Sequence, residues 1–582
     1  MKIRRATALL AGGVVLAMTA AACGGSTAPP STNTPKGPSG TATWAEVTDT
    51  IQNFFSVISA GNSTATANIV GRLQLSPFEI LPDFTIKADP DLMAGEPATA
   101  TTNGKFTVTY TLNPKAVWND GQPITWQDFE FTWQIQKSSD PKKGGCEALL
   151  GTTGYDQIES VAKGANDQTA VVTFSSPYPD WKSLFQLYSK HVIDKGDPKA
   201  TCAYITKGWP LTDGIPVGAT NGPWQLLKTD IDTQNKTETL TPSPKWWGAS
   251  QPGLQRLVYL YTGSDAGVAV KNLKSGTVDI IYPQPQLDLV KQIKALAPSV
   301  TSETNFGLSF EHMDLNTRNV HLAKPEIRKA IALGLDRQQI VTATVGQFDS
   351  RASVLGNRLI VTNQPGYKNN GAAYDHRDVA AAQRSIESAG YKKGPDGIYV
   401  SPQGQRLSLE MMTTVNNKLR ENTIDTVTAQ LKDVGIEIKK YLNPDIFAGK
   451  EKPKSLEAGG FDIGLFAWVG SPFVTQATSI YKSVKGDAQG QNYVHGNDPL
   501  VDSLFDQLNK ETDPQKLTEL QNQIDTQLWN DMYTIPLYQK PTFIAFNARL
   551  TPYDPGTRRG VGDNATQVGP LWNNDTFTFK SS

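Results

Sequence analysis

The stretch Arg406–Leu442 reads RLSLEMMTTVNNKLRENTIDTVTAQLKDVGIEIKKYL, and its apolar spacing changes twice. Leu407, Leu409 and Met411 alternate with other residues, the period of a strand with one buried face. Ile424, Val427, Leu431 and Val434 then recur at three- and four-residue intervals, the stripe of an amphipathic helix, and Gly435 stops it. Ile436, Ile438 and Leu442 open a second strand straight after. A strand, a helix and a strand in so short a stretch make a parallel βαβ unit, whose crossover is almost always right-handed. This part of the chain is therefore α/β.

Upstream, Phe106, Val108, Tyr110 and Leu112 alternate along Lys105–Leu112, a strand that leads into the turn Asn119-Asp120-Gly121. Thr125 stands three residues before Asp128 as a helix N-cap, with Trp126, Phe129 and Trp133 following at helical spacing. Pro325 leads a helix through Ile327, Ala330, Ile331 and Leu335, and Val379, Ala382, Ile386 and Ala389 mark another that ends at Gly390. No internal repeat is present.

The 582 residues allow several domains and a large core. Apolar residues are 38% and charged residues 19%, with 12 Trp, 18 Tyr and 21 Phe, which excludes a disordered polymer and a multi-span membrane protein. With 55 basic and 56 acidic residues there is no basic field for a nucleic-acid backbone, so nucleic acid is excluded as a partner.

Lys2, Arg4 and Arg5 precede an uncharged run from Ala6 to Ala22, the order of an export signal, and that run is marginal for a membrane span. Ala20-Ala21-Ala22-Cys23-Gly24 resembles a bacterial lipobox, with Ala20 where Leu is usual; Cys23 would then carry lipid and become the N-terminus. From Gly24 to Thr43 the residues are nearly all Gly, Ser, Thr, Pro and Ala, the composition of a disordered tether. Without residues 1–22 the formal charge is −4. Cys146 and Cys202 remain, either bridged in an oxidising space or buried as two free thiols.

Several segments together resemble the extracellular solute-binding proteins of bacterial ABC importers, family 5, which take up oligopeptides, dipeptides and nickel. Val117-Trp118-Asn119-Asp120-Gly121-Gln122-Pro123-Ile124-Thr125-Trp126-Gln127-Asp128 is similar to the class signature. Asn221-Gly222-Pro223-Trp224 resembles the family's Gly-Pro-Tyr turn, and Leu273–Asp279 its Leu-x-x-Gly-x-x-Asp stretch. Ile327–Ile331 with Asp336-Arg337, and Ile535-Pro536-Leu537-Tyr538, match two further segments in order. The resemblance implies an α/β, two-lobed periplasmic-binding-protein-like fold (type II, cluster C) with an additional inserted domain. After the signal over 1–22 and the tether over 23–43, it implies a first lobe made of 44–75, 211–305 and 500–582. The inserted domain would span 76–210 and the second lobe 306–499.

In peptide binders of the family an Asp three residues after a strand-end Trp holds the peptide's ammonium. Here that stretch ends Trp468-Val469-Gly470-Ser471, so a neutral hydroxyl stands in the Asp position. Either another acid supplies the charge or the ligand is not held by a free N-terminus, because an unpaired desolvated ammonium is costly. Trp468 either lines the cleft or is an ordinary core tryptophan. Asn221 and Trp224 are candidate contacts near the hinge or turn residues only, and Asn492 and Tyr493 are candidates on a loop that follows a glycine.

The five histidines are scattered and no cysteine cluster accompanies them, so no metal site and no cofactor is expected. Phosphate-loop and nucleophile-elbow motifs are absent from the sequence. The expectation is a lipid-anchored, monomeric, non-enzymatic binding subunit that passes a peptide to membrane permease subunits. The alternatives are a carrier of a sugar or metal complex and, behind it, an exported hydrolase.

Overall fold

The structure, a computed structural model, describes residues 38–582 apart from 49, 144, 151–152, 250, 448, 450, 484–490 and 581–582. The export signal, Cys23 and most of the expected tether lie outside the described residues.

The βαβ unit forms as its spacing dictates. Strands Ser408–Thr413 and Glu437–Leu442 pair in parallel, and helix Lys418–Val434 crosses between them. Asn417 caps the helix by accepting from the Arg420 N–H at 3.1 Å, and Gly435 ends it at φ 99°, a left-handed conformation that glycine adopts without strain. Leu409, Met411, Ile424 and Leu431 bury the shared face in one core with Met313, Ile463, Leu465, Trp529 and Tyr538.

This unit is one end of an eleven-stranded sheet. From it the sheet runs through Ile463–Trp468 to two long antiparallel strands, Val300–Leu315 and Thr534–Asn547. Beyond them come Ile280–Ile281, Thr41–Glu46, Arg256–Tyr261 and Thr237–Pro242. The last carries the short strands Trp224–Gln225 and Ile231–Asp232. Each long strand serves both lobes. Val300–Phe306 pair with Asn547–Pro541 on the side joined to the first lobe, where Ile280 meets Phe546. Phe310–Asp314 pair with Gln539–Thr534 on the side joined to the second lobe, where Phe310 meets Trp468. The register breaks between Phe306 and Phe310. A bulge bends and twists a strand locally, so these residues form the crossing between lobes. A Cβ on Gly307 would lie 1.7 Å from the Ala565 carbonyl oxygen, so only glycine fits there.

The inserted domain is a four-stranded antiparallel sheet of Ala98–Thr102, Lys105–Thr111, Thr169–Phe174 and Ile158–Lys163. Helix Trp126–Gln136 accompanies it. Trp118, Tyr110, Phe129 and Phe174 fill its core. Thr125 and Asp128 close a capping box, and Asp128 also accepts from the Lys190 N–H at 3.0 Å, which gives the signature's acid a structural task.

Two boundaries differ from the expected ones. The tether does not extend to 43: Thr41–Glu46 is an interior strand, parallel to both Arg256–Tyr261 and Ile280–Ile281. Ala42 and the threonines suit a buried strand while looking like spacer residues. The chain also returns to the first lobe later than 500. Helices Pro499–Leu508 and Pro514–Asp531 pack together through Leu504, Phe505, Ile524 and Leu528, and Trp529 joins the second lobe's core.

Cys146 and Cys202 form a disulfide that ties a loop to helix Pro198–Lys207. Replacing both with serine is expected to lower stability by about 2–4 kcal/mol, given the long loop the bridge closes. Urea melts of oxidised and double-variant protein check this, and a difference under about 0.5 kcal/mol would refute it.

Candidate functional site

Strand Ile463–Trp468 ends where the lobes meet, and there its side chains stop being core and become a wall. Trp468 lies between two rings: His312 at 5.7 Å with an interplanar angle of 12°, and Tyr493 at 5.7 Å and 18°. Phe466 stands edge-on to Trp468 at 5.1 Å. Such contacts fix the indole and leave its remaining edge for a ligand. The chain then turns sharply through Gly470, where a Cβ would lie 2.2 Å from the Leu308 carbonyl oxygen. Ser471 follows; its Oγ accepts from the Phe473 N–H at 3.2 Å and lies 3.5 Å from the Gln567 amide of the first lobe.

These residues line a cavity of about 1190 Å³ that also takes in Phe84 and Lys182 of the inserted domain, Lys540 of the crossing strand, and Arg420. A second cavity, of about 1230 Å³, opens at the carboxyl ends of Thr41–Glu46 and Arg256–Tyr261, facing Thr414–Asn417 of the second lobe. That is where open α/β sheets place their ligands. A narrow space shares Gln284, Gln286 and Asn417 with the second cavity and Lys540 with the first. The cavities are thus two parts of one interlobe cleft.

The charges are unevenly divided along it. Glu46, Asp265 and Asp288 line the second cavity, and among the described residues no Lys or Arg does. Glu46 is held by the Trp44 indole and the Asn68 amide, both donating at 2.9 Å, and burial pushes its carboxyl above the ordinary value against those bonds. At the crossing, Arg420 donates from Nε and Nη2 to Glu311 at 3.0 and 2.9 Å, and from Nη1 to the Thr414 hydroxyl at 3.1 Å. Burial would raise the Glu311 carboxyl, but the Arg420 charge and hydrogen bonds outweigh it and hold it below the ordinary value. At the rim of the first cavity, which Val474 lines, Asp180 of the inserted domain accepts from the N–H groups of Val474 and Thr475 at 3.0 and 2.7 Å and from the Thr475 hydroxyl at 2.5 Å.

Of the residues singled out in the sequence, Trp468, Ser471 and Tyr493 come together on this wall. Asn492 does not: its amide donates to the carbonyls of Lys482 and Gly496 and accepts from the Gly496 N–H, so its polar atoms are spent bracing the loop. Asn221 and Trp224 lie outside the cleft as well. Asn221 is fully buried and accepts from the Leu75 N–H at 2.7 Å, while Trp224 sits in the first lobe's core and donates to Asn574 at 2.8 Å. Arg420, Lys540 and Asp180 were not singled out. A lone Lys inside Thr534–Asn547, an otherwise uncharged strand, was the one usable signal.

Two lobes joined by crossing strands, with an aromatic-walled cleft between them, define a solute-binding protein. Residues 90–490 match bacterial extracellular solute-binding proteins, family 5, and the chain belongs to that family. It is 28% identical over 512 residues to the oligopeptide-binding protein OppA of Mycobacterium tuberculosis (strain ATCC 25618 / H37Rv), covering 87% of this chain and 81% of that one. In fold it is similar to the periplasmic EDTA-binding protein EppA, with a TM-score of 0.82 and 24% identity over 94% of this chain and 97% of that chain. It is also similar to the oligopeptide-binding protein AppA from Bacillus subtilis, in complex with a nonapeptide, with a TM-score of 0.70 and 19% identity over 94% and 100%.

Proposed function

We propose that the chain is the exported, lipid-anchored receptor of an ABC importer, attached through Cys23 to the outer face of the cytoplasmic membrane. It captures an oligopeptide between its lobes as a monomer and hands it unchanged to permease subunits. The observation that carries this reading is the wall formed by Trp468, Ser471 and Tyr493 facing the first lobe across one continuous cleft. The OppA relative supports peptide as the solute.

A non-peptide solute is the second reading, and Ser471 favours it, since among the described residues no carboxylate stands beside Trp468 to take an ammonium. Native mass spectrometry of protein purified without refolding tests both. One retained peptide per chain supports the first, a retained non-peptide the second, and turnover of a peptide library would overturn binding as the function. Trp468→Ala is expected to weaken the retained ligand about tenfold, or about 1.4 kcal/mol, as loss of an aromatic contact should. Isothermal titration calorimetry checks this; unchanged affinity would place the ligand elsewhere.

A further inference from the structure

The geometry points to a subsite at the crossing of the lobes for a carboxylate of the solute, held by Lys540. The inference rests on the cleft being the solute site and adds which charge the solute carries there. Lys540 lies on strand Thr534–Asn547, next to the register break, and lines both the first cavity by Trp468 and the narrow space leading to the second one. Among the described residues its ammonium makes no ion pair or hydrogen bond. Its neighbour Glu311 is taken: both of its oxygens receive the Arg420 guanidinium. Among the described residues two cations and one carboxylate therefore meet at the crossing, a surplus of one positive charge.

A bland alternative is a lysine that water satisfies. Against it, burial and the Arg420 charge push the Lys540 ammonium below its ordinary value, with Glu311 opposing, so the site is already partly desolvated. Closing lobes over it would remove more water, and an unpaired buried charge is then costly unless the ligand supplies its partner. The other nearby charges agree. Lys182 is paired with Glu96 at 3.1 Å. Among the described residues the one acid lining the first cavity is exposed Asp83, whose Oδ1 accepts from the Thr85 N–H at 3.0 Å. The amino end of helix Lys418–Val434 begins at Asn417, in the same narrow space, and its dipole also favours an anion. At the far end Glu46, Asp265 and Asp288 repel one. The cleft is polarised, with its positive end at Lys540.

The test uses two probe panels on the mature protein. The first is a pool of tetra- and pentapeptides with free C-termini against the same pool amidated; the second is citrate and succinate against their amides. Wild type should bind the acids at least about tenfold more tightly than the amides, or about 1.4 kcal/mol. Lys540→Met should lose that preference, Lys540→Arg should keep it, and Lys199→Met, at an exposed lysine of helix Pro198–Lys207 away from the cleft, should keep it as a control. Thermal unfolding without ligand shows that each variant folds. Equal binding of acids and amides by wild type, binding of neither panel, or a preference that survives Lys540→Met overturns the subsite. Binding of small carboxylates without any peptide would sink the peptide reading alone and support the subsite.

Discussion

Replacing Asp180 by alanine is expected to weaken solute capture by about tenfold to a hundredfold while leaving the fold intact. Asp180 belongs to the inserted domain, and all three groups it binds belong to the second lobe, at the start of the short helical turn Val474–Ala477 that follows Ser471. It is 5% exposed, so these bonds are shielded from water. Hydrogen bonds to a charged group each contribute about 1.5–3 kcal/mol, and here they exist only while the two bodies touch. Their loss acts on the equilibrium between open and closed lobes, and affinity falls by the fraction of closed protein lost. Small-angle scattering should show a larger radius of gyration for the variant with ligand present. Calorimetry should show the weaker affinity, and if both are unchanged the contact does not hold the lobes together.

Asp525→Ala is expected to cost about 3–5 kcal/mol of stability, the range for removing one partner of a buried ion pair. The Asp525 and Arg358 side chains are both fully buried, with Arg358 Nη1 2.9 Å from Asp525 Oδ1. Arg358 also donates from Nε to the Thr534 hydroxyl at 2.7 Å and stacks its guanidinium over Trp529 at 4.3 Å. Asn370 donates to the other carboxylate oxygen at 2.9 Å. Without the carboxylate the guanidinium stays buried and uncompensated, and the start of a crossing strand loses its anchor. Urea denaturation followed by tryptophan fluorescence measures the loss. Arg358→Met added to Asp525→Ala should recover part of it, because the orphaned charge leaves; a single-variant loss under about 1 kcal/mol would contradict the account.

How much was legible in the sequence depends on how local each signal is. The βαβ unit of Arg406–Leu442 is plain because each element carries its own period and Gly435 marks the stop. The crossing strands are not. Val300–Leu315 changes the company it keeps at Gly307–Ser309, so no single alternation runs through it. Thr41–Glu46 hides in a composition shared with spacers. In the cleft, Trp468, Ser471 and Tyr493 follow from a strand end and a loop, and the stack of Trp468 with Tyr493 also recruits His312 from another strand. Arg420 reads as a surface residue of a charged helical run, yet its partner Glu311 is 109 positions away. Asp180 meets Val474 and Thr475 across 294 and 295 positions, a pairing for which no local pattern exists.

The register break at Gly307–Ser309 also sets how motion in this molecule can be observed. With one sheet running through both lobes, any rotation that keeps the strand pairing must pivot near those residues. Distance then grows with leverage: reporters placed close to the pivot record almost nothing, while the rims travel farthest. A fluorophore pair spanning Asp83 on the inserted domain and Lys516 on the second lobe's outer helix would sit at the long end of the arm. A pair near Thr304 and Thr542 would serve as the stationary reference.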